Sequence, residues 1–317
     1  MFPNIEINIS KYATIGNIAL GLWYGTSNQS IDVKQFDKGV VHELAKPYHR
    51  NKAKTKSFWE LLGMLLIANE ISSDQYICEI IEEKVGKSYV KYFKNALIAY
   101  EEDWRIDKDR FLRMKELVLG DIDFEEVVKN IQTLTRAKWK RESVTVFIAR
   151  FYEGLFDSEV GTGHTIPSFN VISILIDPSD KWIESNRDDV THSIIHELIH
   201  INTDDAFNLE WIEENGLWDI IADKIVPDFI ANELLVGIGK PSKISKDIFE
   251  EFGGVLVPTG YFVDVDQVEI IIKEWFKEFI QSDKKYDEGL KELFKRIDKL
   301  DIIYEPDFVK KTLSEIG

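Results

Sequence analysis

The stretch THSIIHELIHINTDD, residues 191–205, decides how the fold of this chain is interpreted. His196 and His200 are four residues apart, so on a helix their imidazole rings project from the same face. Isoleucine and leucine recur through the stretch at helical spacing, which predicts a largely buried helix. Buried imidazoles need polar partners, and a metal ion satisfies two rings at once.

The five residues from His196 to His200 predict zinc chemistry. Two imidazoles one helical turn apart can occupy two corners of a tetrahedral site, with nitrogen–zinc distances of about 2.0–2.1 Å. Glu197 directly follows the first histidine, so its carboxylate is placed to reach a metal-bound water rather than the metal. It can accept a proton from that water as the water attacks a carbonyl carbon. We therefore expect a hydrolase with Glu197 as its general base.

HELIH lies after a short predicted strand and before the acidic helical pattern WIEENGLWDIIAD, residues 211–223. Together these features resemble the zincin metallopeptidases, and most closely their gluzincin, or thermolysin-like, group. The resemblance covers residues 143–227. It implies a small sheet, an active-site helix and a ligand-bearing helix, within a chain that is otherwise mostly helical. It also implies Zn²⁺ as the cofactor, a peptide or protein as the substrate, and a third metal ligand on the helix after the motif.

Glu214 is the favoured third ligand. It fits the Trp-x-x-Glu opening of the gluzincin pattern, counted from Trp211. On one continuous helix it also shares an apolar stripe with Trp211 and Trp218, where a carboxylate is costly unless it is paired or binds a metal. The Asn-Gly pair at 215–216 weakens this geometry, because such a pair can end a helix and change its phase.

Asp219 is the alternative third ligand. Eighteen residues separate it from His200, a spacing that resembles the gluzincins. Asp219 and Asp223 also resemble the Glu-x-x-x-Asp pattern of that group, with a shorter ligand. In this alternative, Asp223 orients one of the histidines.

The order of sequence patterns predicts an α+β fold. Residues 143–152 and 170–176 are rich in β-branched and aromatic or aliphatic side chains, which indicates strands between amphipathic helices. We expect a helical N-terminal region at 1–140, a zincin-like metallopeptidase core at 141–235 and a helical C-terminal region at 236–317. By the same resemblance, the strand at 170–176 is expected to pair with an extended peptide substrate at the sheet edge.

The composition favours a cytoplasmic globular protein. Acidic residues outnumber basic ones by 56 to 39, and the net charge of −17 disfavours nucleic acids and anionic membranes as partners. No apolar run is long enough to cross a membrane, and the first residues do not resemble a signal peptide. The single cysteine, Cys78, fits a reducing compartment.

Two other functions stay open at this point. The first is a catalytically silent metal-binding or regulatory protein on a zincin scaffold. The second is a metal-free helical domain whose histidines are structural. The presence of Glu197 favours catalysis, because hydrolysis is the one function among the three that requires this side chain.

Overall fold

The computed structural model describes residues 2–19, 22, 39–46, 55–68, 72–152, 163–213, 215–240, 248–250, 252–253, 256 and 259–305. These residues form a mostly helical α+β protein with a small mixed sheet, which confirms the predicted coarse class. None of the described helices combines the length and apolar character that a membrane crossing needs.

Helices predominate along the chain and strands are short. The strands are β1 (Asn4–Ile9), β2 (Ser143–Arg150), β3 (Gly163–Ile166), β4 (Val171–Ile176), β5 (Tyr261–Phe262) and β6 (Ile303–Tyr304). The helices are α1 (Lys11–Ala19), α2 (Val40–Ala45), α3 (Thr55–Ile67), α4 (Asp74–Lys84), α5 (Lys87–Asp121), α6 (Phe124–Thr135), α7 (Asp180–Ser185), α8 (Arg187–Ala206), α9 (Glu210–Glu213), α10 (Gly216–Ile220), α11 (Val226–Gly237), α12 (Val265–Gln281) and α13 (Tyr286–Ile297). A π-helical turn, Ile221–Ile225, joins α10 to α11.

The chain forms two compact units, and each is discontinuous in sequence. The first, called here the sheet unit, comprises Pro3–Phe124 and Arg141–Ile194. The second, called the helical unit, comprises Met1–Phe2, Glu125–Lys140 and Ile195–Gly317. The motif helix α8 contributes its first residues to the sheet unit and both motif histidines to the helical unit.

The sheet unit contains a four-stranded sheet in the order β1-β2-β4-β3. β1, β2 and β4 are parallel, whereas β3 pairs with β4 in the antiparallel direction. All six residues of β4 are buried, as is typical of strands that lie inside a parallel sheet. β4 is therefore an inner strand, and the expectation that it pairs with a substrate at the sheet edge is wrong. Its backbone groups already pair with two neighbouring strands.

The N-terminal region, which was expected to be helical, also supplies a strand. Apolar and polar residues alternate in β1, which is the pattern of a half-buried strand, and Ile5 pairs with Val144 of β2. The boundaries of the two compact units therefore differ from those of the expected segments 1–140, 141–235 and 236–317. For example, β1 lies in the segment 1–140 and pairs with β2 of the segment 141–235, and both strands belong to the sheet unit.

The predicted motif helix is confirmed as α8, Arg187–Ala206. Asp188 and Asp189 lie in its first turn, where negative charge interacts favourably with the helix dipole. The isoleucines and leucine of the motif are fully buried, so the helix packs into the core over a wide face. This packing fixes the direction in which the motif histidines project.

Candidate metal centre

The two motif histidines lie side by side on α8. The Nε2 atoms of His196 and His200 are 3.1 Å apart, and both side chains are largely buried. Two nitrogens that bind one tetrahedral zinc ion at about 2.0–2.1 Å are separated by roughly 3.3 Å. The observed separation therefore fits two corners of a zinc site.

Asp228 at the start of α11 orients the first histidine. Its Oδ1 atom lies 2.6 Å from Nδ1 of His196. Burial acts to lower the pKa of His196, but the charge of Asp228 and this hydrogen bond outweigh it, and the pKa is raised. When the neutral ring donates its Nδ1–H to Asp228, its Nε2 lone pair is left on the side of His200. Metal-binding histidines commonly have such a carboxylate partner on the second ring nitrogen.

The second histidine completes a chain of hydrogen bonds. Nε2 of His200 lies 3.0 Å from the backbone carbonyl oxygen of Asp223, and the same atom faces Nε2 of His196. His200 has one Nε2–H, which it directs either to the carbonyl oxygen of Asp223 or to Nε2 of His196, while His196 donates its Nδ1–H to Asp228. In this tautomer Nε2 of His200 carries a proton. Zinc binding must displace that proton.

The carbonyl of Asp223 is available to His200 because the helix is distorted before Pro227. A proline has no N–H, and its ring clashes with the carbonyl four residues earlier, which here is that of Asp223. The chain widens into the π-helical turn, in which Val226 donates to the carbonyl of Ile221. Such turns are frequent at functional sites. The helical path continues through Pro227 to Gly237.

The side chain of Asp223 also lies beside the histidine pair. Its Oδ1 atom is 3.7 Å from Nε2 of His200, and its Oδ2 atom is 2.9 Å from Nζ of Lys224. Partial desolvation by the surrounding residues acts to raise the pKa of Asp223, but the charges of Lys224 and His200 outweigh it, and the pKa is lowered. An ionised carboxylate is therefore present next to the proposed ligands.

Glu197, the predicted general base, is buried on α8. Its negative charge acts on His196 and on Lys224, which places it in the same electrostatic environment as the histidine pair. Burial acts to lower the pKa of Lys224, but Asp223, Glu197 and Asp228 together raise it. Lys224 thus remains a cation among the carboxylates of the site.

Glu214, the favoured third ligand, lies outside the described residues. The geometry that favoured it assumed one continuous helix, and the described chain does not have one there. α9 ends at Glu213, and the side-chain oxygen of Asn215 caps α10 by accepting hydrogen bonds from the backbone of Leu217 and Trp218. An Asn-Gly pair thus begins a new helix at this point.

Asp219, the alternative third ligand, is exposed on α10 and lines the same cavity as His200. In that alternative Asp223 was expected to orient a histidine through a ring nitrogen that faces away from the metal. In the structure, it is Asp228 that contacts Nδ1 of His196.

Asp228 was not predicted from the sequence. An acidic residue after a proline resembles an ordinary helix N-terminus, and the π-helical turn that brings Asp228 to His196 has no simple sequence signal.

The side chains present fit part of a zinc site. Two histidines and Asp223 surround a common region, and Asp228 holds the first histidine by its other nitrogen. Among the described residues, no group of three or more histidine, cysteine or acidic side chains is arranged so that it could hold a metal ion.

Replacing Asp228 with asparagine is expected to lower zinc affinity about 10- to 100-fold, because the orienting carboxylate is lost. A competition titration against a chromophoric chelator measures this affinity. Glu233→Gln removes an exposed charge from the same helix and should leave the affinity unchanged. Equal affinities of Asp228→Asn and wild type would show that Asp228 does not orient His196.

The same substitution has a predictable pH signature in zinc-free protein. A raised histidine pKa stabilises the folded state while the ring is protonated, and this contribution disappears as pH rises through the folded-state pKa. The stability advantage of wild type over Asp228→Asn should therefore be largest in acid and should shrink with rising pH. Urea unfolding at a series of pH values measures it.

Comparison with known proteins does not assign this chain to a family. No family model matches this chain, and no significant match was found among curated proteins or solved structures.

Proposed function

We propose that this protein is a zinc-dependent metallopeptidase that hydrolyses peptide bonds. The observation that carries the proposal is the geometry of the histidine pair. The Nε2 atoms of His196 and His200 are 3.1 Å apart, and Asp228 holds the other nitrogen of His196 at 2.6 Å. Two convergent imidazoles with a carboxylate behind one of them are the donor arrangement of a protein zinc site. The resemblance of HELIH to the zincins adds the reaction class.

The third ligand is proposed to be Asp223, with Glu214 and Asp219 as the alternatives. Oδ1 of Asp223 lies 3.7 Å from Nε2 of His200, only slightly beyond the roughly 3.3 Å expected between two ligands of one zinc ion. Glu214 lies outside the described residues and is supported by its match to the gluzincin pattern.

Each residue then has a distinct role. A zinc ion supplies a Lewis acid that polarises a carbonyl and makes a water molecule more acidic. Glu197 accepts a proton from the attacking water and returns it to the leaving amine. Its burial strengthens its electrostatic interactions, because water screens them poorly there. Asp228 keeps His196 in the tautomer whose Nε2 carries a lone pair.

The function is tested with purified protein and a mixed peptide library. Zinc content is measured by elemental analysis, and cleavage is followed by mass spectrometry with chelator and after zinc is restored. We expect about one zinc per chain and cleavage that the chelator abolishes. A protein that binds no zinc even after supplementation, or cleavage that the chelator leaves unchanged, contradicts the proposal.

The third ligand is tested by comparing Asp223→Asn, Glu214→Gln and Asp219→Asn. Loss of a ligand removes a coordinate bond, whereas loss of a charge that does not bind the metal changes only the long-range electrostatic field. We expect the largest fall in zinc affinity for Asp223→Asn. A larger fall in either other variant identifies that residue as the ligand instead. Glu233→Gln again serves as the matched control.

A further inference from the structure

A cavity of about 470 Å³ lies beside the histidine pair in the helical unit. His200 and Asp223 line it, so it adjoins the proposed zinc site directly. Ile212, Tyr286 and Leu290 also line it and are buried, which gives the cavity an apolar floor. Its size falls within the range of about 300–1,000 Å³ that is typical of ligand-binding sites.

The rim of this cavity has the opposite character. Asp204, Glu210, Asp219 and Asp223 line it, and each of them is exposed. None of the described lining residues is a lysine or an arginine, although Lys224 pairs with the rim residue Asp223 at 2.9 Å and offsets its charge, which leaves the other three rim carboxylates to set the sign of the rim. The cavity therefore combines an apolar floor with a negatively charged rim.

The position of these carboxylates distinguishes them from the acidic residues elsewhere on the chain. They border one concave surface that also contains a proposed zinc ligand, His200. Carboxylates gathered around a cleft with apolar walls focus a negative potential inside it. A substrate group that enters this cleft is favoured when it carries a positive charge.

The size and lining together specify the chemistry of the occupant. An apolar floor suits an aliphatic stem, and a negative rim suits a cationic head that stays partly hydrated. An alkylammonium group has both parts. An alkyl chain ending in a carboxylate fits the floor but is repelled at the rim.

We propose that this cavity is the substrate subsite of the enzyme and binds a positively charged group attached to an apolar stem. In a peptide, that group is either a lysine or arginine side chain or a free amino terminus next to an apolar side chain. The assignment as a substrate subsite rests on the proposed peptidase function. The selectivity of the cavity for a cation rests on its lining alone.

Small probes test the selectivity without catalysis. Binding of hexylammonium, hexanol and hexanoate to zinc-free protein is measured by ligand-observed NMR titration. We expect hexylammonium to bind about five- to tenfold more tightly than hexanol, hexanoate to bind weakest, and added salt to reduce the difference. The zinc-free protein is used because an amine could otherwise coordinate the metal.

Two double variants separate the cavity from the overall charge of the protein. Asp204→Asn/Glu210→Gln removes two rim carboxylates that are not proposed zinc ligands, whereas Glu233→Gln/Glu274→Gln removes two exposed charges that do not line the cavity. The preference for hexylammonium should disappear in Asp204→Asn/Glu210→Gln and persist in Glu233→Gln/Glu274→Gln. If Asp204→Asn/Glu210→Gln does not fold, the single variant Glu210→Gln replaces it and should lower the preference in part.

Peptides then separate the two sources of the cation. Matched peptides with lysine, norleucine or glutamate at each position, and with free or acetylated amino termini, are tested for binding to zinc-loaded Glu197→Gln protein. Loss of binding on acetylation identifies the amino terminus, and loss on replacing lysine with norleucine identifies the side chain. Equal binding of all peptides overturns the subsite.

The failure of this inference differs from the failure of the proposed function. Peptide hydrolysis without any preference for hexylammonium over hexanol contradicts the cation-selective subsite but is consistent with the proposed peptidase function. Selective hexylammonium binding without hydrolysis of any peptide overturns the peptidase and supports the selectivity of the cavity. A preference that survives in Asp204→Asn/Glu210→Gln overturns the role of the rim.

Discussion

Glu197→Gln is expected to lower kcat/KM for peptide hydrolysis by at least about 100-fold, which is the usual contribution of general acid–base catalysis. The amide has nearly the same shape as the carboxylate, so the buried site keeps its packing. It cannot accept the proton of the attacking water, and the chemical step loses its base. Steady-state kinetics on the best library peptide measures the loss, with zinc content determined on the same samples.

The zinc content gives this experiment its control. Because Glu197 is not proposed to bind the metal, the variant should retain zinc as fully as wild type, and Glu233→Gln should retain both zinc and activity. Wild-type activity in Glu197→Gln contradicts the assigned base. Zinc binding without hydrolysis by the wild-type protein favours the alternative of a catalytically silent metal-binding protein.

His200→Ala is expected to abolish the stabilisation of the protein by zinc. A ligand present at 100 times its dissociation constant stabilises the folded state by about 2.7 kcal/mol, so zinc should raise the Tm of wild type measurably. Removing one of two adjacent imidazoles leaves too few ligands to hold the ion. Thermal unfolding with zinc and with chelator measures the response.

A second histidine provides the matched control. His42 lies on α2 in the sheet unit, so His42→Ala removes an imidazole elsewhere in the chain. It should retain the wild-type response of Tm to zinc. A similar rise in Tm for wild type and His200→Ala would show that zinc binds somewhere else.

Sequence patterns predicted the local features of this protein well. The periodicity of isoleucine and leucine in residues 191–205 predicted α8, and the same helix places His196 and His200 on one face. β-branched runs predicted β2 and β4. These features depend on neighbouring residues along the chain, which is the information that a single sequence carries most directly.

Features that depend on distant pairing were harder to predict. The inner position of β4 follows from its pairing with β2 and β3, and a run of apolar residues does not indicate which strands will be its neighbours. β1 is short and lies among helical patterns. Its strand conformation is stabilised by pairing with β2, more than 130 residues later in the chain.

The site depends on a change of helical phase that the sequence pattern did not predict. Asn215 begins a new helix, so a stripe extended from Trp211 through Glu214 has no continuous helix to follow. The π-helical turn before Pro227 then rotates the following residues and brings Asp228 to His196. The widened turn accommodates Pro227 and frees the carbonyl of Asp223 for its contact with His200.

Anomalous diffraction at the zinc edge, measured from crystals of zinc-loaded protein, tests the zinc site most directly. The expected result is one zinc ion at about 2.0–2.1 Å from Nε2 of both His196 and His200, with a carboxylate as third ligand. Asp228 should remain hydrogen-bonded to Nδ1 of His196. An anomalous map with no peak at the histidine pair, from protein saturated with zinc, would contradict the proposed site.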